Sequence, residues 1–203
     1  MTERKLRDEI RASALAAGFY MGGETLAIDF VDTIKLKANP VLDYFDNEEL
    51  YREFWRIQRP VLPAGAVSEG VAPDREQAKQ LRFAIRTLFE DALNASALDR
   101  SSLDVVNGFA LRAASVPQLD ATGHSRETVT GGGDALLGAV ARSAIETVAD
   151  FRACIRHCES ERCSMMFFSA SGHRAWCSAT CGNRVRVARF AAQRSREADQ
   201  RTS

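Results

Sequence analysis

At 203 residues, with 45% hydrophobic side chains, the chain has room for one mid-sized domain plus a small appendage and enough apolar residues for a real core. No apolar run approaches the roughly 18 residues of a membrane span. The opening Thr2-Glu-Arg-Lys-Leu-Arg-Asp-Glu-Ile10 alternates charges rather than reading as a signal peptide, so a cytoplasmic protein with no membrane partner is expected. The formal net charge of zero hides an asymmetry: residues 151–203 hold ten arginines, no lysine and four acids, which leaves residues 1–150 acidic. A basic module on an acidic body points to a polyanion partner for the module, although a solvated arginine-rich helix would carry the same charge.

Taken in order, residues 3–16 place Leu6, Ile10 and Ala14 on one stripe and predict a short helix. Gly22-Gly23 breaks the chain. Between Glu24 and Ile34, Leu26, Phe30 and Ile34 recur at helical spacing and favour a buried helix, while Leu26, Ile28 and Phe30 also alternate as in a strand. Asp29 and Asp32 have no histidine or third acid beside them, so capping or solvent-facing roles fit them better than catalysis or metal binding. An enzymatic body would need a deep polar pocket at these acids.

Asp46-Asn-Glu-Glu49 has capping-box spacing and opens a helix carrying Leu50, Phe54 and Ile57, ended by Pro60 and Pro63. Residues 61–71 read as a loop. Pro73-Asp74 opens the clearest helix of the body, with Ala78, Leu81, Ile85 and Leu88 toward the core, and Ser101-Ser-Leu-Asp104 opens another through about Ala114. Residues 115–133 suggest a loop or a poor hairpin. Gly131-Gly-Gly133 is a flexible turn rather than a phosphate loop, because no Lys-Ser/Thr follows it. Asp134 caps a long helix in which Leu137, Val140, Ala144, Val148, Phe151 and Ile155 share a face, predicted to run directly into the first cysteine pair.

All five cysteines lie after residue 150, and in a reducing compartment they argue against a disulfide framework. Cys158-Glu-Ser-Glu-Arg-Cys163 and Cys177-Ser-Ala-Thr-Cys181 are two closely spaced pairs, the arrangement a tetrahedral four-thiolate zinc site needs. Cys158, Cys163, Cys177 and Cys181 form the most economical ligand set; Cys154, His157 and His173 are read as non-ligating. Met165-Met-Phe-Phe168 and His173-Arg-Ala-Trp176 read as two strands of a hairpin, and Ser178 as the N-cap of a last helix that holds Cys181 in its first turn. Knuckle, hairpin and helix together predict a treble-clef-like finger. Four thiolates leave no open position on zinc, so the one ion is structural. On the last helix Arg186, Arg189 and Arg196 share a face, and with Arg174 and Arg184 they are the candidate nucleic-acid contacts, since arginine binds phosphate bidentately and reads guanine edges.

Two stretches carry a resemblance. Trp176-Cys177-Ser178 followed by Cys181-Gly-Asn-Arg184 resembles the signature of the CGNR zinc-finger family, and Gly22-Gly23-Glu-Thr-Leu-Ala-Ile-Asp-Phe-Val-Asp-Thr33 resembles the opening of the ABATE domain that usually precedes it. The resemblance implies a bacterial transcription regulator with zinc on Cys158, Cys163, Cys177 and Cys181.

The expected fold is therefore mainly α: an ABATE-like helical domain over residues 1–150, then a small treble-clef-like zinc finger, β-hairpin plus basic helix, over 151–203. The expected function is non-enzymatic: a DNA-binding regulator whose body senses an unidentified small-molecule effector or forms a homodimer. The alternative is a zinc-stabilised protein-protein or RNA-binding module.

Overall fold

The computed structural model describes residues 2–21, 23–62, 72–112, 115–129 and 132–202. Side-chain caps fix most helix starts. Helix α1 spans Glu3–Ala16 and the short α2 spans Leu26–Val31, where the Thr25 hydroxyl accepts the Ile28 N–H at 3.4 Å. Strands β1 (Ile34–Lys35) and β2 (Leu42–Asp43) pair antiparallel and lead into α3 (Glu48–Gln58), capped by Asn47, which accepts the Leu50 N–H at 2.9 Å. Asp74 caps α4 (Arg75–Leu93) by accepting the Gln77 N–H at 2.8 Å.

Helix α5 runs over Arg100–Arg112. Asp99, rather than the Ser101 of the sequence reading, receives the Ser102 N–H at 2.8 Å at its start. Strands β3 (Ser115–Leu119) and β4 (Ser125–Val129) form the hairpin that the sequence left open, and α6 follows over Gly133–Phe151. The loop read over residues 61–71 and the Gly131 turn fall largely outside the described residues.

Helices α4, α5 and α6 pack on one another, and α2 lies against α4 and α6. All six residues of α2 are buried. Phe30 on α2 meets the rings of Phe45, Phe54 and Trp55 at centroid distances of 5.5, 5.8 and 5.9 Å, forming the aromatic centre of the core. The helix reading of residues 24–34 thus holds as far as Val31, and Ile34 turns into β1. Asp29 and Asp32 are each only 1% exposed, which overturns the solvent-facing role expected for them. Asp29 lies on a helix buried on every side, and Asp32, the residue that ends it, is covered by β6.

Helix α6 does not continue into the first cysteine pair. It ends at Phe151, a 3-10 turn covers Arg152–Cys154, and Ile155–His157 extend as β5. The partner of β5 is β6 (Met166–Phe168), with Ile155 opposite Phe168 and His157 opposite Met166. The finger's hairpin therefore lies around the first cysteine pair instead of joining Met165–Phe168 to His173–Trp176. Ile155 is fully buried and belongs to the core of the body, whereas Phe151, expected on the same core face, is 44% exposed. The 173–176 segment contributes one ladder-like bond, from the Glu159 N–H to the Ala175 carbonyl at 3.0 Å. The last helix, α7, spans Ala179–Thr202. No helix among the described residues is long and apolar enough to cross a membrane.

Candidate metal centre

The knuckle forms as β5 ends. The Cys158 N–H donates to the Met165 carbonyl at 3.0 Å and the Cys163 N–H to the Ser160 carbonyl at 2.8 Å, turning both side chains inward. Cys177 immediately precedes the α7 cap. Ser178 accepts the Cys181 N–H at 3.3 Å, as an N-cap does, and sets Cys181 in the first helical turn. The sulfurs of Cys158, Cys163, Cys177 and Cys181 all lie within 4.8 Å of one another. Cys177 Sγ stands 3.7 Å from Cys163 Sγ and 3.6 Å from Cys181 Sγ. A tetrahedral zinc ion with bonds of about 2.3 Å puts its sulfurs about 3.8 Å apart, whereas a disulfide needs about 2.05 Å. The spacing is that of an ion's ligands, and all five cysteines are free.

The electrostatics agree. The Cys163 thiol is lowered to about 5 by its hydrogen bond with Cys177, while the same bond and burial push Cys177 well up. Burial raises Cys158. Burial and the neighbouring thiols oppose ionisation of Cys158 and Cys177, and a divalent cation would supply the charge that favours thiolates there. The N–H of Cys177 points at Cys158 Sγ at 3.5 Å, a donor of the kind that steadies a bound thiolate. Around the sulfurs, Met165 and Phe167 form a small second core against which Trp176 packs. A Cβ on Gly182 would sit 3.0 Å from Cε3 of Trp176, so the glycine of Cys181-Gly-Asn-Arg184 is where the indole lies on the helix. Cys154, His157 and His173 stay outside the cluster.

The body holds the finger by its strand edge. In β6 the N–H groups of Met166 and Phe168 face away from β5. Asp32 accepts the first with both oxygens, at 2.9 and 3.2 Å, and Glu24 accepts the second at 3.2 Å. Glu24 also pairs with Arg174, whose guanidinium lies 4.2 Å over the Phe167 ring. The knuckle is tied by Ser164, which accepts the Leu36 N–H at 3.0 Å and gives its carbonyl to Arg86 at 2.9 Å. His157 meets Glu90 at 2.6 Å. Burial pushes the Asp32 carboxyl well up, against the lowering effect of the Met166 N–H. Sequence reasoning missed this clamp. Both acids stood in the Gly22–Thr33 motif, but nothing in that motif announces a partner strand more than a hundred residues away.

Of the candidate arginines, Arg174 is engaged with the body, whereas Arg184, Arg186 and Arg189 are exposed on α7. Arg186 bonds Asn183 on its own helix. Arg196 lies in α7, with its side chain outside the described residues. Between the finger and α1 and β1 lies a cleft of about 510 Å³, bordered by Cys163, Cys177 and Cys181 on one side and by Arg11 and Lys35 on the other. Burial lowers the Lys35 ammonium; Cys163 raises it and the Arg184 guanidinium lowers it further.

A helical domain whose buried acids grip a four-thiolate finger defines a two-module, structural-zinc protein. The family model ABATE, described as "Putative stress-induced transcription regulator", matches residues 24–150, and the CGNR zinc finger matches residues 155–194. The first alone covers more than half of the chain, and the protein belongs to the ABATE family. With the sulfur geometry, the finger match assigns one structural zinc ion to the chain. No curated protein matches it.

Proposed function

We propose that this protein is a transcription regulator that binds duplex DNA through α7, with the zinc centre fixing the start of that helix and the body gripping the finger. One observation carries the reading. From Asn183 to Arg194 every residue of α7 except Val185 is exposed, and this stretch presents Arg184, Arg186, Arg189 and Arg194. A protruding helix rich in arginine and anchored at one end by a rigid centre suits phosphate contact and insertion in a major groove. A single finger has a small footprint. Val187 and Phe190, 69% and 63% exposed on the same helix, suit an apolar contact between two copies that would double it.

The reading is non-enzymatic. Four thiolates close the zinc coordination sphere. Asp32 borders the cleft, but both of its oxygens are committed to the Met166 N–H, and Asp29 is bonded to Glu24 N–H and Gln58. Crosslinking of the tagged protein to chromosomal DNA, with a Cys181→Ser control, tests the reading. Discrete enriched sites that vanish in the variant are expected; even recovery along the chromosome, or sites unchanged in the variant, contradicts it. If α7 instead serves RNA or a protein, those molecules replace DNA among the crosslinked material.

A further inference from the structure

The geometry points to a binding site for a small organic anion in the cleft between the finger and the body: a carboxylate or phosphate head held by Lys35, Arg162 and Arg184, and an apolar part along Leu15, Tyr20 and Met21. Its volume of about 510 Å³ falls within the range that takes a metabolite-sized ligand.

Lys35 comes from β1, Arg162 from the cysteine knuckle and Arg184 from the second turn of α7, and all three line the same space. Three separate elements thus bring like charges together. The acids in the wall do not answer them. Glu24 is paired with Arg174 and the Phe168 N–H, and Asp32 with the Met166 N–H. A four-thiolate zinc centre carries a net charge of about −2 and offsets only part of the cationic wall. The first turn of α7, represented in the cleft by Ala179 and Thr180, adds the positive end of a long helix.

The other wall is apolar and open to solvent. Leu15 is 53% and Tyr20 65% exposed, so both offer apolar surface to a molecule in the cleft. The Lys35 ammonium sits 3.7 Å from the centre of the Tyr20 ring, where the positive and apolar halves of the cleft meet. A plain inorganic anion would leave the apolar wall unused, and a neutral apolar molecule would leave the cations unmatched. An amphipathic anion satisfies both. Because body and α7 each supply a wall, such a ligand would bridge the two modules.

The test is a fluorescence titration of the zinc-loaded full chain with 8-anilinonaphthalene-1-sulfonate, an aromatic anion, in the absence of nucleic acid. Its outcome is thus independent of whether α7 binds DNA. Saturable binding of one probe per chain is expected, weakened at least fivefold by Lys35→Met and by Arg184→Gln and unchanged by Arg100→Gln, which lies outside the cleft. Zinc content and melting temperature are measured on each variant. If one of them loses zinc, competition on the unaltered protein decides: benzoate displaces the probe, while benzyl alcohol and inorganic phosphate at the same concentration do not. Non-saturable binding, equal affinity in the zinc-loaded cleft variants, or displacement by benzyl alcohol or phosphate as effective as by benzoate overturns the proposal.

Discussion

Both carboxylate oxygens of Asp32 accept the backbone N–H of Met166, across 134 positions of sequence. The bond closes the outer edge of β6, which would otherwise present bare donors inside the protein, and it makes the finger part of the body rather than a tethered appendage. Asp32→Ala leaves the Met166 N–H buried and unpaired, and should cost about 2–3 kcal/mol. Asp32→Asn keeps one acceptor and should cost less. Urea unfolding gives both values, and amide exchange should quicken at Met166 and Phe168 before it does in α4. Equal stability of Asp32→Ala and the unaltered chain would remove the clamp from this account.

Asp29 gives the fold a pH dependence. Burial raises its carboxyl from the ordinary 3.8 to about 6, against the hydrogen bonds from Glu24 and Gln58. The folded chain therefore keeps a proton that the unfolded chain has lost. The stabilising share of this group is complete below about 4, declines as pH rises through 6 and is absent above it, a change of up to about 3 kcal/mol. Asp29→Asn carries no charge to bury, and the Gln58 Oε1, which has no partner, is available to accept from the new amide after a flip. The variant should gain on the unaltered protein between about pH 4 and 6.5 in paired urea titrations; a constant difference across that range contradicts the assignment.

Gly182→Ala tests the contact between α7 and Trp176. The added methyl meets the indole at 3.0 Å, tighter than most carbon contacts, so the ring has to give by a few tenths of an ångström. Trp176 has to move, at a cost of about 1–3 kcal/mol, with a shift in its emission and looser zinc binding. An unchanged Trp176 environment would mean that the glycine has another purpose.

Helix positions and zinc ligands were legible because each is signalled locally: Asp74 and Ser178 are short polar residues before apolar periods, and four cysteines in two pairs have one economical arrangement. At three other helices the cap falls one or two residues from the expected one, on Asn47 instead of Asp46, Asp99 instead of Ser101 and Gly132 instead of Asp134. The hairpin was misplaced because Ile155 and Met165–Phe168 look alike whether they pair with each other or with neighbours: strand partnership is decided by the body's core, where Ile155 and Met166 are both buried. The burial of Asp29 and Asp32 was invisible for a related reason. A carboxylate in an apolar stretch reads as surface until its donors are placed: Gln58 from α3 for Asp29, and a strand from the far end of the chain for Asp32.

Removal of zinc by a chelator should release the small core of Met165, Phe167 and Trp176 first, because a cluster of that size cannot hold itself together. Exchange protection in the first turns of α7 and in the β5–β6 hairpin should fall together, while the Phe30, Phe45 and Phe54 cluster stays protected. Simultaneous loss of both regions would make metal and body a single cooperative unit.

The central claim, that zinc holds an arginine helix in place for DNA, is tested most directly by anisotropy of a labelled duplex titrated with zinc-loaded protein at several salt concentrations. About five phosphate contacts predict a log–log slope near −4.5, reduced by about one for each of Arg186→Gln and Arg189→Gln. Binding that is absent, independent of salt, or unaltered by those substitutions would contradict it.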